Sequence, residues 1–396
     1  MGQTVPLTPT MNAHVAERAD ARTAAIPWYI WTTLAAVLSG VVGAVWDISW
    51  HESIGRDSFW TPAHMLIYGC GIIAGFSAAY LILSITFQKD NPLRDASVTM
   101  WGCRGPLGAF ICAWGAAAMI TSAPFDNWWH NAYGLDVKIL SPPHVLLALG
   151  VMGIRFGLVI LVLAEMNRAR GAYREKLEKF FLFTFLFLMA TTVGMMQEYT
   201  NRILMHSARF YFVIMMTAPI WIAAVSRASR SRWAATIMTA MYTAVHLLFV
   251  LTVPLFPATP KLGPVYQNIT HLVPPDFPLL ILAAAFAFDL VRHYITNWGK
   301  WAQSAALGVV FFASFVAVQW PFANFLNSPA AQNWFFHANN YPYFMPSTSL
   351  WARSVYYFYE ANSTEWWIAM AGSLLIAMLM MRLGFSFGNW MTRIRR

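Results

Sequence analysis

The sequence predicts an all-α, polytopic membrane helix bundle of about ten transmembrane helices, and three observations carry that reading. Hydrophobic residues make up 58% of the chain and charged residues only 11%, a balance well outside that of soluble domains. Apolar runs of about 20 residues recur along the chain, each long enough to cross ~30 Å of hydrocarbon. These runs lack the period-two alternation of a transmembrane strand and exceed its ~10 residues, which excludes a barrel.

The runs fall at about residues 28–50, 62–87, 105–125, 143–166, 178–198, 207–226, 233–254, 277–296, 301–322 and 365–387. Residues 1–26 are polar and carry neither the short apolar core nor the cleavage pattern of a signal peptide, so they read as a cytoplasmic tail. With that tail inside, 19 of the 26 Lys and Arg fall on the cytoplasmic side, which places both termini there. The net charge of +9 is then a topology signal, with no nucleic-acid module behind it. Cys70, Cys103 and Cys112 form no CxxC and sit in or beside spans. They read as small core residues, not as a disulfide or thiolate ligands.

The end of the first span begins a motif that occurs twice. Residues 47–64 read D-I-S-W-H-E-S-I-G-R-D-S-F-W-T-P-A-H, and residues 126–144 read D-N-W-W-H-N-A-Y-G-L-D-V-K-I-L-S-P-P-H. An Asp and a His four apart share one helical face, so Asp47/His51 and Asp126/His130 are each a pair of candidate metal ligands. Thr61 and Ser141 stand as N-caps with Pro62 and Pro142 at the first helical position, which puts His64 and His144 in the opening turn of the next helix. Each copy thus brings three donors to a hairpin tip. Asp57 is placed to orient a ligand histidine through its distal N–H, or to pair with Arg56 at the surface. The plainer reading is a set of polar residues at water-facing helix ends, but recurrence of the whole Asp/His/Asp/His frame favours metal. Imidazole and carboxylate suit copper, with iron or zinc as alternatives.

The other spans give fewer signals. Gly69, Gly71 and Gly75 form a small-residue stripe for close helix packing. Arg155 lies mid-span and needs a polar partner. The charged stretch from Arg168 to Lys179 marks a break between two halves. Glu198 and His206, and likewise Asp289 and His293, read as hydrated helix ends. A proline-rich outer loop spans 254–276, and residues 323–364 form an aromatic outer segment suited to the interface or to a partner.

Spacing and flanking residues of the first motif resemble the C subunit of the particulate methane and ammonia monooxygenase family. There an Asp, a His four on and a His thirteen further bind copper; Asp47, His51 and His64 fit, with Trp50, Ile54, Arg56, Asp57 and Pro62 matching alongside. The family's second site uses an Asn, a His four on and a His fourteen further, which Asp126, His130 and His144 reproduce with Asp for Asn and Asp136 as a nearby acid. The resemblance implies a membrane domain over 27–226 with catalytic and metal residues Asp47, His51 and His64 and a second metal at Asp126, His130 and His144. Arg56, Asp57 and Asp136 would support the ligands. The layout of 227–396 resembles the family's A subunit, which implies a C–A fusion. Also implied are a periplasmic cupredoxin-like B subunit as partner, a trimeric assembly, and a place in a bacterial cytoplasmic membrane with the metal sites toward the periplasm. The function expected is a copper-dependent monooxygenase, or a subunit of one, acting on a small apolar substrate such as a short hydrocarbon or ammonia. The alternative is a membrane copper transport, storage or assembly protein without oxygenase activity.

Overall fold

A computed structural model describes residues 25–55, 57–134, 141–350, 352–353 and 363–396. The chain is an all-α polytopic membrane bundle: nine helices among the described residues are long and apolar enough to cross a bilayer. Proline sets the start of the first four, because the missing N–H falls where a helix leaves its amides unbonded anyway. Pro27 precedes α1 (Trp28–Ser53), Pro62 opens α2 (Pro62–Phe87), Pro106 precedes α3 (Leu107–Tyr133), and Pro142 opens α4 (Pro142–Arg168). Between α2 and α3, Val98–Met100 pairs antiparallel with Cys103–Gly105. Trp101 and Gly102 turn that hairpin with φ of 51° and 79°, the positive values a tight two-residue turn requires.

Helices α1 and α2 form one antiparallel hairpin and α3 and α4 a second, with α2 packed on α3 between them. The predicted glycine stripe lies on these seams: Gly69 faces Ser39, while Gly71 and Gly75 face Met119 and Ala116. Packing between α3 and α4 is closer still. A Cβ on Gly115 would stand 2.7 Å from the carbonyl oxygen of Gly150, and one on Gly150 would stand 2.8 Å from that of Gly115.

Helix α5 (Gly171–Gly194) starts after a two-residue connection within the charged stretch from Arg168 to Lys179. That stretch is the end of one helix and the opening turns of the next. Then follow α6 (Ala208–Ala228) and α7 (Ala234–Thr252). The span expected at 277–296 is corrected by the structure: only Ile281–Arg292 is helical, forming the short α8. Pro274, Pro275 and Pro278 cannot donate helical hydrogen bonds, and they hold the preceding residues extended. The segment still runs the length of its neighbour α7. Val273 N–H donates to Ser53 Oγ at the hairpin-tip end, and Asp289 accepts from Thr236 N–H, in the opening turn of α7, at 2.8 Å.

Helix α9 (Lys300–Leu326) and the last helix α10 (Thr364–Met391) complete the bundle. Helix α10 packs most extensively on α6, where Gly384 and Gly388 admit the backbone of Ile220 and Ala224. One continuous hydrophobic core therefore runs from Ile26 to Ile394, joining residues on both sides of position 226. Both ends of the described chain dock near the α4–α5 connection: Tyr173 donates to Ala25 O at 3.2 Å, and Asn167 donates to Met391 O at 2.9 Å and Ile394 O at 2.8 Å.

Two helix ends differ from the sequence reading. Asp289 is fully buried, accepting from the Thr236 amide and hydroxyl and pairing with Arg292 at 3.1 Å, so it clamps α7 to α8. His206 is buried as well, its ring 4.3 Å from that of Trp320. Arg155 is 7% exposed and meets no carboxylate among the described residues.

Candidate metal centres

The tip of each N-terminal hairpin gathers imidazoles and carboxylates, because an i,i+4 pair at the end of one helix faces the first turn of the next. At the first tip, α1 supplies Asp47 and His51, the connecting loop supplies Asp57, and α2 supplies His64. His64 Nε2 lies 3.1 Å from Asp47 Oδ1 and 3.2 Å from Asp57 Oδ2. His51 Nε2 lies 3.5 Å from Asp57 Oδ2 and 4.0 Å from Asp47 Oδ1. At the second tip, Asp126 shares its carboxylate between two rings, with Oδ2 3.4 Å from His130 Nε2 and Oδ1 3.4 Å from His144 Nε2. One donor atom from each residue of a cluster lies within 4.8 Å of the others.

These spacings fit an ion at the centre. Donors each ~2.1 Å from a tetrahedrally bound cation stand roughly 3.4 Å apart. Asp47 Oδ1 and Asp126 Oδ1 are buried against the imidazole Nε2 atoms of His64 and His144, at 3.1 and 3.4 Å, so their charge is met there either by a proton on the ring or by a cation. Each ring presents Nε2 to its cluster. At the second tip His130 Nδ1 lies 3.3 Å from the carbonyl oxygen of Gly134, so its N–H donates there and leaves the Nε2 lone pair facing Asp126.

The structure thus brings together Asp47, His51 and His64, and Asp126, His130 and His144. It also brings Asp57 into the first cluster. Its carboxylate faces the Nε2 atoms of His51 and His64, on the same side of the rings as Asp47. Burial pushes the Asp57 carboxyl up, but its hydrogen bond to His51 and the charges of His51 and His64 outweigh this and hold it below the usual carboxylate range. Arg56 and Asp136 lie outside the described residues. Thr61 and Ser141 occupy the N-cap positions, yet neither side chain caps its helix. Thr61 Oγ1 accepts from Ser58 N–H at 2.8 Å instead, closing the loop that carries Asp57.

Two features beside the first centre lay outside the sequence reading. Tyr68, one turn beyond His64, sets its ring 5.9 Å from the imidazole and lies within electrostatic reach of Asp126, Asp47 and Asp57. Its i,i+4 spacing from His64 was the available signal. The second feature is a brace from the other end of the chain. Tyr343 N–H donates to Glu52 O at 2.9 Å, Lys261 N–H donates to Ile54 O at 2.9 Å, and both satisfy carbonyls at the end of α1. Gly55, with φ of 93°, packs against the Tyr343 phenol where any side chain would stand. Access differs within the first centre: His51 is 48% exposed and His64 16%. The open side is therefore the His51 side.

No family model, curated protein or solved structure matches this chain.

Proposed function

We propose that the chain is a copper-dependent membrane monooxygenase, or a subunit of one, that oxidises a small apolar molecule such as a short hydrocarbon or ammonia with O2. The observation that carries this reading is the pair of imidazole–carboxylate clusters at the rim of an apolar helix bundle. Asp47, His51, His64 and Asp57 would hold the catalytic ion, and Asp126, His130 and His144 a second one. Bound copper would supply O2 activation, for which imidazole-rich sites with an open position are suited.

The chain's own residues divide the remaining work. Asp47 and Asp57 supply negative charge that offsets the cation, and His51 leaves one flank open for O2 and substrate. Phe59 and Tyr68, packed at a tilt with ring centroids 5.1 Å apart beside His64, offer an apolar wall that suits a neutral substrate and limits water. Phe125, Trp128, Trp129 and Tyr133 form a comparable aromatic patch at the second centre. The motif resemblance extends the proposal to a bacterial cytoplasmic membrane, both termini inside, the centres toward the periplasm, a cupredoxin-like B subunit as partner, an A-type portion in 227–396 and a trimeric assembly.

A second reading, a copper carrier or store, is favoured by one observation: the half-exposed His51 offers a donor from which an ion can be passed on. The two readings separate in one experiment. Copper-loaded membranes with a reductant are given 18O2 and short alkanes, alkenes or ammonia, and products are examined for label. Labelled product that disappears in His64→Ala supports the oxygenase. Copper bound at both centres with no labelled product supports the carrier.

A further inference from the structure

At the end of the bundle opposite the metal centres lies a cavity of about 250 Å3, lined by Asn167, Arg174, Arg227, Ser229, Arg230 and Arg395 among others. Four helix ends build it: the last turn of α4, the first of α5, the last of α6, and the residues just after α10. Two of the guanidinium groups are held in place by neutral partners. Arg174 donates from Nη1 to Met166 O at 2.6 Å, while its Nε is buried with no hydrogen-bond partner. Arg227 donates to Gln303 Oε1 at 2.7 Å and lies 4.7 Å over the Phe385 ring.

The acid beside the cavity, Glu178, lies within Coulombic reach of Arg174 and offsets part of one of these four charges, but its oxygen is taken up by backbone and serine donors. Glu178 Oε1 accepts from Ser229 Oγ at 2.5 Å, from the Ser231 amide at 3.0 Å and from the Arg230 amide. Among the described residues no carboxylate forms an ion pair with Arg174, Arg227, Arg230 or Arg395. Arg174 and Arg230 also lie close enough to repel each other. Loop arginines follow from membrane topology alone, but topology does not gather four of them round one cavity or leave a buried Nε unbonded. Such a concentration of positive charge is relieved by an anion, and the planar fork of Arg matches phosphate oxygens in pairs. The volume is below the ~300 Å3 of the smaller drug-sized pockets, so it suits a single phosphate group.

We propose that this cavity binds a phosphate-bearing anion, which bridges the ends of α4, α5, α6 and α10. Two sources share that chemistry, the headgroup of an anionic phospholipid and free phosphate, and basic pockets between helix ends are suited to the former. The inference is independent of what the hairpin tips bind.

The test uses the purified full chain in a neutral detergent. Native mass spectrometry follows retention of dioleoyl phosphatidylglycerol against dioleoyl phosphatidylcholine, and calorimetry follows inorganic phosphate. Phosphatidylglycerol should be retained preferentially. The double variant Arg230→Gln/Arg395→Gln should weaken its binding by about 30-fold, at roughly fivefold per arginine, while Arg353→Gln on another part of the chain leaves it unchanged. Phosphate binding with the same loss in the double variant, and no preference between lipids, supports the site and assigns the soluble source. Both substituted positions are exposed; should the Gln variant fail to fold, Arg230→Lys/Arg395→Lys keeps the charge without the fork and should bind with intermediate affinity. Equal retention of the two lipids with no phosphate binding overturns the proposal, as does unchanged affinity in a folded double variant.

Discussion

At the first centre, the Asp57 carboxylate stands 3.2 Å from His64 Nε2 and 3.5 Å from His51 Nε2, so under the proposed function it would hold the ion together with Asp47. Replacing Asp57 by Asn keeps the shape and removes the charge. The affinity of the first centre for copper should fall at least about tenfold, with the second centre unchanged, as measured by competition with a chromogenic chelator. His206 gives a separate residue-level test, away from both clusters. Burial pushes its imidazole down to about 4, from ~6.5 in an unfolded chain. The folded state therefore takes up its proton later than the unfolded state, and stability falls as pH drops from about 6.5 towards 4. The linkage is worth about 3 kcal/mol in that window and nothing above it. Thermal unfolding should lose less between pH 6.5 and 4 in His206→Gln than in the parent chain. A residue-by-residue reading found the Asp/His clusters because Asp and His four apart share a helical face. It could not find the burial of His206, which depends on Trp320 and Trp366 from distant helices.

At the scale of elements, the second centre depends on how closely α3 and α4 approach. Gly115 and Gly150 stand where a Cβ would meet the opposing backbone at 2.7 and 2.8 Å. Gly115→Leu should push the two helices apart, costing about 1–3 kcal/mol. It should also separate Asp126 on α3 from His144 on α4, so the chain should lose metal at the second centre and keep it at the first. Metal analysis together with a melting curve checks both parts. Most helices were legible because an apolar run of span length leaves the backbone little alternative to a helix in lipid. The exception, α8, was missed because hydropathy over 277–296 records apolar surface and not hydrogen-bond donors. Its prolines shorten the helix while leaving the segment apolar. The clamp from Asp289 to Thr236 was hidden for a different reason: a charged residue near a helix end looks solvated until its neighbour is known.

At the scale of the whole molecule, the chain folds back so that its later portion braces its earlier one. Helix α10 packs on α6, and the segments that carry Lys261 and Tyr343 reach over the end of α1, where their amides bond the carbonyls of Ile54 and Glu52. Gly55 is the point of contact. Gly55→Ala would place a Cβ at a positive φ and against the Tyr343 ring, costing of order 1–3 kcal/mol of strain. It should disturb the loop that carries Asp57, weakening the first centre while leaving the second intact, and Tyr343→Ala should restore part of that loss. No sequence pattern joined these positions, because the brace is made by backbone groups far apart along the chain.

The central claim is that both hairpin tips bind a transition metal. Elemental analysis of the purified protein, comparing the parent chain with His51→Ala and His130→Ala, tests it most directly. The account predicts about two equivalents in the parent and about one in each variant, with copper as the metal. Metal content that is the same in all three proteins would contradict it.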